Sequence, residues 1–149
     1  MALAIGQAKK SDEPLKCGVV IVKNAEILAQ AHNSQRADKD ASAHAEINAI
    51  RLAGKRLDSK NLEGCDVFCT CEPCVMCMAA LSYAKVKRIV FGASLDKVSP
   101  PKKLISIALD TFLEKAPHKP SILRNFMEEE CSRINEQGSR RSALEHLRT

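Results

Sequence analysis

Five of the seven cysteines fall within residues 65–77, in the stretch CDVFCTCEPCVMC. No other feature narrows the possible folds so much. The opening MALAIGQAKK is not a secretory signal, because its apolar stretch is short and the Lys pair follows it. No segment approaches the ~20 apolar residues of a membrane span. A cytoplasmic, reducing setting is therefore expected, and the cysteines read as thiols or metal ligands before disulfides.

Cys65 and Cys69 lie four apart on a strand expected over 65–70, and a strand end separates Cys69 from Cys71. Pro73 breaks the run, and CVMCMAALSYA (74–84) has helix-forming composition. Cys74 and Cys77 are then i and i+3 at a helix start, with both sulfurs projecting from one turn. The positive end of the helix dipole lowers thiol pKa values there, favouring the thiolates a metal needs. Two thiolates do not close a structural zinc site, which takes four protein ligands. Adding one imidazole makes three and leaves a position open, the ligand count of a catalytic zinc.

The stretch HAEINAIRLAG (44–54) offers that imidazole. Ile47, Ile50, Ala53 and Leu57 recur at helical spacing, so this is a helix with one buried stripe. A core helix has no need of an imidazole and a carboxylate in its first turn. His44 is expected to hold the metal. Glu46, badly placed to be a fourth ligand from the same turn, can reach a water there. Zinc lowers the pKa of such a water towards ~7, and a carboxylate beside it can move the proton to a ring nitrogen and then to a leaving amine. Zn²⁺ with two thiolates and a neutral imidazole carries no net charge, so proton transfer to Glu46 is a substantial part of the activation. Other readings of the cysteines exist. A lone CxxC also serves redox chemistry, though a redox pair would sit in a thioredoxin-like context. CEPCVMC resembles part of an iron–sulfur pattern but lacks the later Cys-Pro. Cys131 reads as a buried helix thiol, and His32, His118 and His146 have no ligand-like spacing.

A length of 149 residues predicts one domain. Residues 1–10 read as a short helix, 17–23 as a strand buried on both faces, KNAE as a turn and 27–33 as the hairpin partner. Ser42 is expected to cap a helix from Ala43 to about Leu57. A strand over 88–93 follows the 74–84 helix; then come Pro100 and Pro101, a helix over 103–115, and another over roughly 121–136. Helices between successive strands predict an α/β fold, a mixed sheet with helices on its faces. With no Trp, one Tyr and four Phe, the core is aliphatic and platforms for stacking bases are few, which argues against a general single-strand binder. The net charge is +5, and residues 139–149 carry three Arg against one Glu, a basic and frayed tail.

HAE followed by PCxxC is the signature of the zinc deaminases, and the combination is far more specific than either half. Across roughly residues 15–98, with a weaker echo in FMEEECSRI (126–134), the chain resembles the cytidine-deaminase-like superfamily. HAEINAIR and CEPCVMCMAAL are most similar to bacterial guanine deaminases and tRNA adenosine deaminases. The resemblance implies a deaminase domain over 1–138, a three-layer fold with about five strands between helices, and a homodimer. It implies one zinc per chain on His44, Cys74 and Cys77, with Glu46 as proton shuttle. Asn33 matches an Asn that hydrogen-bonds the substrate base, and Tyr83 stands where guanine deaminases often have a ring near the pocket. The family often shows Pro-x-Gly leading into the first strand, where this chain has Lys16-Cys17-Gly18; the KTG loop of tRNA-specific members is replaced by LDKVSPPKK. The expected function is hydrolytic deamination of a nucleobase, with a small base, nucleoside or nucleotide favoured as substrate. Adenosine in tRNA is the alternative substrate. A zinc-bearing nucleic-acid-binding module without turnover is the reading from another class.

Overall fold

The β-branched run GVVIVK forms Gly18–Lys23 (β1) in the computed structural model, which describes residues 1–98, 105 and 107–136. It turns through Asn24 and Ala25, both at positive φ (49° and 63°), into Glu26–His32 (β2), its antiparallel partner. On its other edge β1 pairs antiparallel with Asp66–Cys71 (β3), placing Val19 opposite Cys69. Parallel additions then follow: Arg88–Ala93 (β4) beside β3, and Ser121–Leu123 (β5) beside β4. The sheet order is β2-β1-β3-β4-β5, the mixed five-strand sheet expected.

Strand alternation divides the side chains between two helical layers. Val19, Ile21, Val67, Cys69, Ile89 and Phe91 join one cluster with Ala45, Ala49 and Ala53 of Ala45–Leu57 (α3) and with Met78 and Leu81 of Val75–Tyr83 (α4). The other face meets Ala2–Ala8 (α1) and a last helix, 128–136. Glycine makes both of those contacts close. A Cβ on Gly18 would run into the backbone of Ala4 and Ala8, and one on Gly92 into the Cys131 side chain. With both faces covered, β1 and β4 can be apolar along nearly their whole length.

Several expectations shift. The helix predicted over 103–115 is seen as Leu109–Lys115 (α6), with 103, 104 and 106 outside the described residues. Among the described residues Ile105 and Ile107 are exposed and not helical, whereas Leu109, at the start of α6, is buried. Helices this short draw their stability from packing an apolar face, and Leu109 supplies one such contact. The helix predicted over 121–136 begins as β5; Asn125 and Met127 then take positive φ, so helix appears only at 128–136. β3 continues through Cys71, putting Cys69 and Cys71 on one strand without a break. Ser42 does not cap α3; its hydroxyl donates to Asp40 Oδ1, and His44 occupies the N-cap position. Two short helices complete the described residues, Gln35–Asp38 (α2) and Leu95–Val98 (α5). Pro100, Pro101, Gly138, the basic tail 139–149 and His146 lie outside them. Among the described residues no helix is long and apolar enough to cross a membrane.

Candidate active site

Two helices begin at one place. α3 comes after β2 and the short α2, α4 follows β3, and their N-cap residues are His44 and Cys74, both with extended backbone. An N-cap side chain ordinarily accepts a hydrogen bond from the first turn. Neither does so here; both turn towards each other instead. Pro73 enforces this geometry, because the residue before a proline is held extended and the chain leaves β3 straight into the α4 start.

His44 Nδ1 lies 3.6 Å from Cys74 Sγ and 3.5 Å from Cys77 Sγ, and the two sulfurs are 3.6 Å apart. This is the one group of His, Cys and acidic residues among those described that is arranged to hold a metal. Zinc bonds of ~2.3 Å to sulfur and ~2.0–2.1 Å to nitrogen, at tetrahedral angles, place S···S at about 3.8 Å and S···N at about 3.6 Å. The three ligand atoms form one face of that tetrahedron. The fit is close, and the fourth vertex is left for a non-protein ligand.

Glu46, 5% exposed, accepts the Cys77 thiol proton at Oε2 over 3.3 Å. Burial pushes its carboxyl up to about 7, and the Cys74 charge adds to the rise. A carboxyl poised near neutrality can both take and give a proton. Cys74 is held down to about 4, chiefly by its hydrogen bond with Cys77 and by His44. The Cys77 thiol is correspondingly pushed up by that bond and by burial, so this proton must leave when a metal is taken up. Cys74 raises the His44 imidazole. Both helix N-termini present their positive ends to these anionic groups.

Asn33, the residue after β2, is buried. Its amide oxygen accepts from the Cys17 N–H (2.9 Å), and its amide nitrogen donates to the Leu15 carbonyl (2.6 Å). Tyr83 is not brought to the cluster. It ends α4, nine residues beyond Cys74 and about 13 Å along the axis, with 75% of its surface exposed. Sequence reasoning missed Asn135. This residue is buried in the last helix, and its amide bonds both the N–H and the carbonyl of Lys16. The available signal was its spacing, four residues after the buried Cys131 and so on the same helix face.

The sequence profile of the cytidine and deoxycytidylate deaminase zinc-binding region matches residues 1–93. The chain belongs to this family. The deaminases of the family are zinc-dependent hydrolases, and His44, Cys74 and Cys77 form a group that could hold such a metal here. Among curated relatives, the tRNA-specific adenosine deaminase of Aquifex aeolicus is 43% identical over 99 residues, a span of 65% of each chain. That of Bacillus subtilis is 36% identical across 88% of this chain and 81% of its own. A solved structure from studies of A-to-I editing by tRNA:A34 deaminases superposes with a TM-score of 0.79 at 33% identity, covering 90% of this chain and 96% of that one. The guanine deaminase of Nitrosomonas europaea shares the fold, with a TM-score of 0.65 at 18% identity over 82% of this chain and 71% of its own.

Proposed function

We propose that this deaminase converts adenosine in tRNA to inosine, acting as a cytoplasmic homodimer. The observation that carries the reading is the 36% identity to a tRNA-specific adenosine deaminase over most of both chains. The small-base preference drawn from the sequence gives way to it, since the solved guanine deaminases superpose less well, with TM-scores of 0.65 and 0.53 against 0.79.

Zinc, when bound, supplies the acidity that makes a water nucleophilic near neutral pH. The chain's own residues do the rest. Glu46 Oε2 takes a proton from the attacking water as oxygen adds at C6 of the adenine. The carboxyl returns that proton to ring N1, then carries the remaining hydroxyl proton to the amine as the C6–N6 bond breaks and C6=O forms, so adenosine and water become inosine and ammonia. Glu46 suits this traffic because its burial already holds the carboxyl near neutrality. Asn33 has two donors and two acceptor positions on its amide; one of each is used on Cys17 and Leu15, and the others serve the base edge.

The test offers the zinc-loaded protein a bulk tRNA fraction and, separately, free guanine and adenosine. Inosine in the digested tRNA, with no comparable product from the free compounds, is the expected result. Xanthine from guanine with no inosine in tRNA would return the small-base reading.

A further inference from the structure

The segment leading into β1 is held from two sides by amide side chains. Asn33 takes the Leu15 carbonyl and the Cys17 N–H. From the opposite end of the chain, Asn135 Oδ1 accepts the Lys16 N–H at 2.7 Å while its Nδ2 donates to the Lys16 carbonyl at 3.1 Å. The same Nδ2 lies 3.9 Å from Cys71 Sγ, and that sulfur lies 3.8 Å from the Lys16 carbonyl oxygen. Cys71 is the last residue of β3, three before the metal ligand Cys74. Asn135 therefore touches both the strap that carries Cys17 and the strand end that leads to the zinc. Continuing the β1–β3 register past Val19 and Cys69 sets Cys17 opposite Cys71. Cys17 also packs against the core cluster that holds Ala45 and Met78, the sequence neighbours of His44 and Cys77.

A backbone N–H in this setting needs a partner, because a buried donor left unpaired is destabilising. At a position where a proline would carry no N–H, this chain has Lys16 and supplies the acceptor from a helix 119 residues away in sequence. Asn135 is only 8% exposed, so no solvent-facing role competes for its amide.

We infer that Asn135 is a positioning residue for base selection. Its amide sets how close the 15–17 strap stands to Glu46 and the metal ligands, and so how large a base the site admits. The inference rests on the proposed deamination of adenosine in tRNA. It predicts that loss of the clasp widens the pocket on the side of Cys17 without disturbing zinc.

Two readouts test it, on Asn135→Ala and, should that variant fold poorly, on Asn135→Asp, which keeps an acceptor and loses the donor. The first is the rate at which iodoacetamide labels Cys17 in the zinc-loaded protein, followed by peptide mass spectrometry. The second is the ratio of kcat/KM for a tRNA stem-loop carrying adenosine to that for the same stem-loop carrying 2,6-diaminopurine, whose extra amino group needs a wider pocket. A smaller folded fraction leaves that ratio untouched. Labelling should rise at least about fivefold over wild type, and the ratio should fall at least about fivefold, with zinc content unchanged. Labelling at the wild-type rate, or a ratio within twofold of wild type, overturns the inference. If the wild type makes no inosine in the stem-loop, the tRNA reading fails on its own, and the labelling rate still decides whether Asn135 holds the strap.

Discussion

Glu46 is held in conflict by its surroundings. Buried against the Cys74 thiolate, its carboxyl titrates near 7 where an unfolded chain would titrate at 4.5. A folded-state pKa above the unfolded one means that the metal-free fold binds the extra proton. The destabilisation is then absent below 4.5, grows as pH rises, and is complete above 7. Glu46→Gln removes the charge and keeps the shape. In the metal-free protein it should therefore be neutral at pH 4 and stabilising at pH 8, by roughly 3 kcal/mol from the span of the shift. Urea denaturation of both proteins at the two pH values measures this, and an equal difference at both would show that burial does not strain Glu46. A carboxyl near neutrality suits the proton transfers proposed for it. His44, Cys74, Cys77 and Glu46 were legible in the sequence because their spacing carries helical geometry by itself. Asn33 was legible only through family resemblance, and its hold on Leu15 and Cys17 was not, since the bonds join segments that no local pattern links.

Elements were read well where one apolar period ran unbroken and badly where packing decided. GVVIVK and RIVFGA lie within one residue of their expected strands. The stretch 103–115 has helical composition throughout, yet Ile105 and Ile107 are exposed and not helical, and α6 begins at Leu109, which reaches the core. SIL at 121–123 looked like the start of a helix, because three residues are too few to show alternation; pairing with β4 made it a strand. The β1–β2 hairpin carries a local fault that the sequence does show in retrospect. Both turn residues need positive φ, and the second is Ala25. A left-handed alanine costs about 1–2 kcal/mol, whereas glycine there is unstrained but gives back part of the gain as freedom in the unfolded chain. Ala25→Gly should raise stability by about 0.5–1 kcal/mol, seen as a higher urea midpoint with unchanged slope. A loss of stability would mean that the turn relaxes in solution to a conformation that alanine tolerates.

At the scale of the whole molecule, the fold's work is to bring two helix N-termini together across a sheet. β1 and β3 are central neighbours, and α3 and α4 start side by side, so His44 and Cys74, 30 apart in sequence, come within reach of one metal. The last helix closes the arrangement by reaching back to Lys16. The account stands on one claim, that this zinc centre deaminates with Glu46 as its proton carrier. Its most direct test is inosine formation in tRNA by wild type and Glu46→Gln at equal zinc content, with metal counted by elemental analysis. Both should hold one zinc per chain, and the variant should be slower by at least about 10²-fold, the lower end for a lost general acid–base. A Glu46→Gln protein with full zinc and more than about a tenth of wild-type turnover would contradict the account.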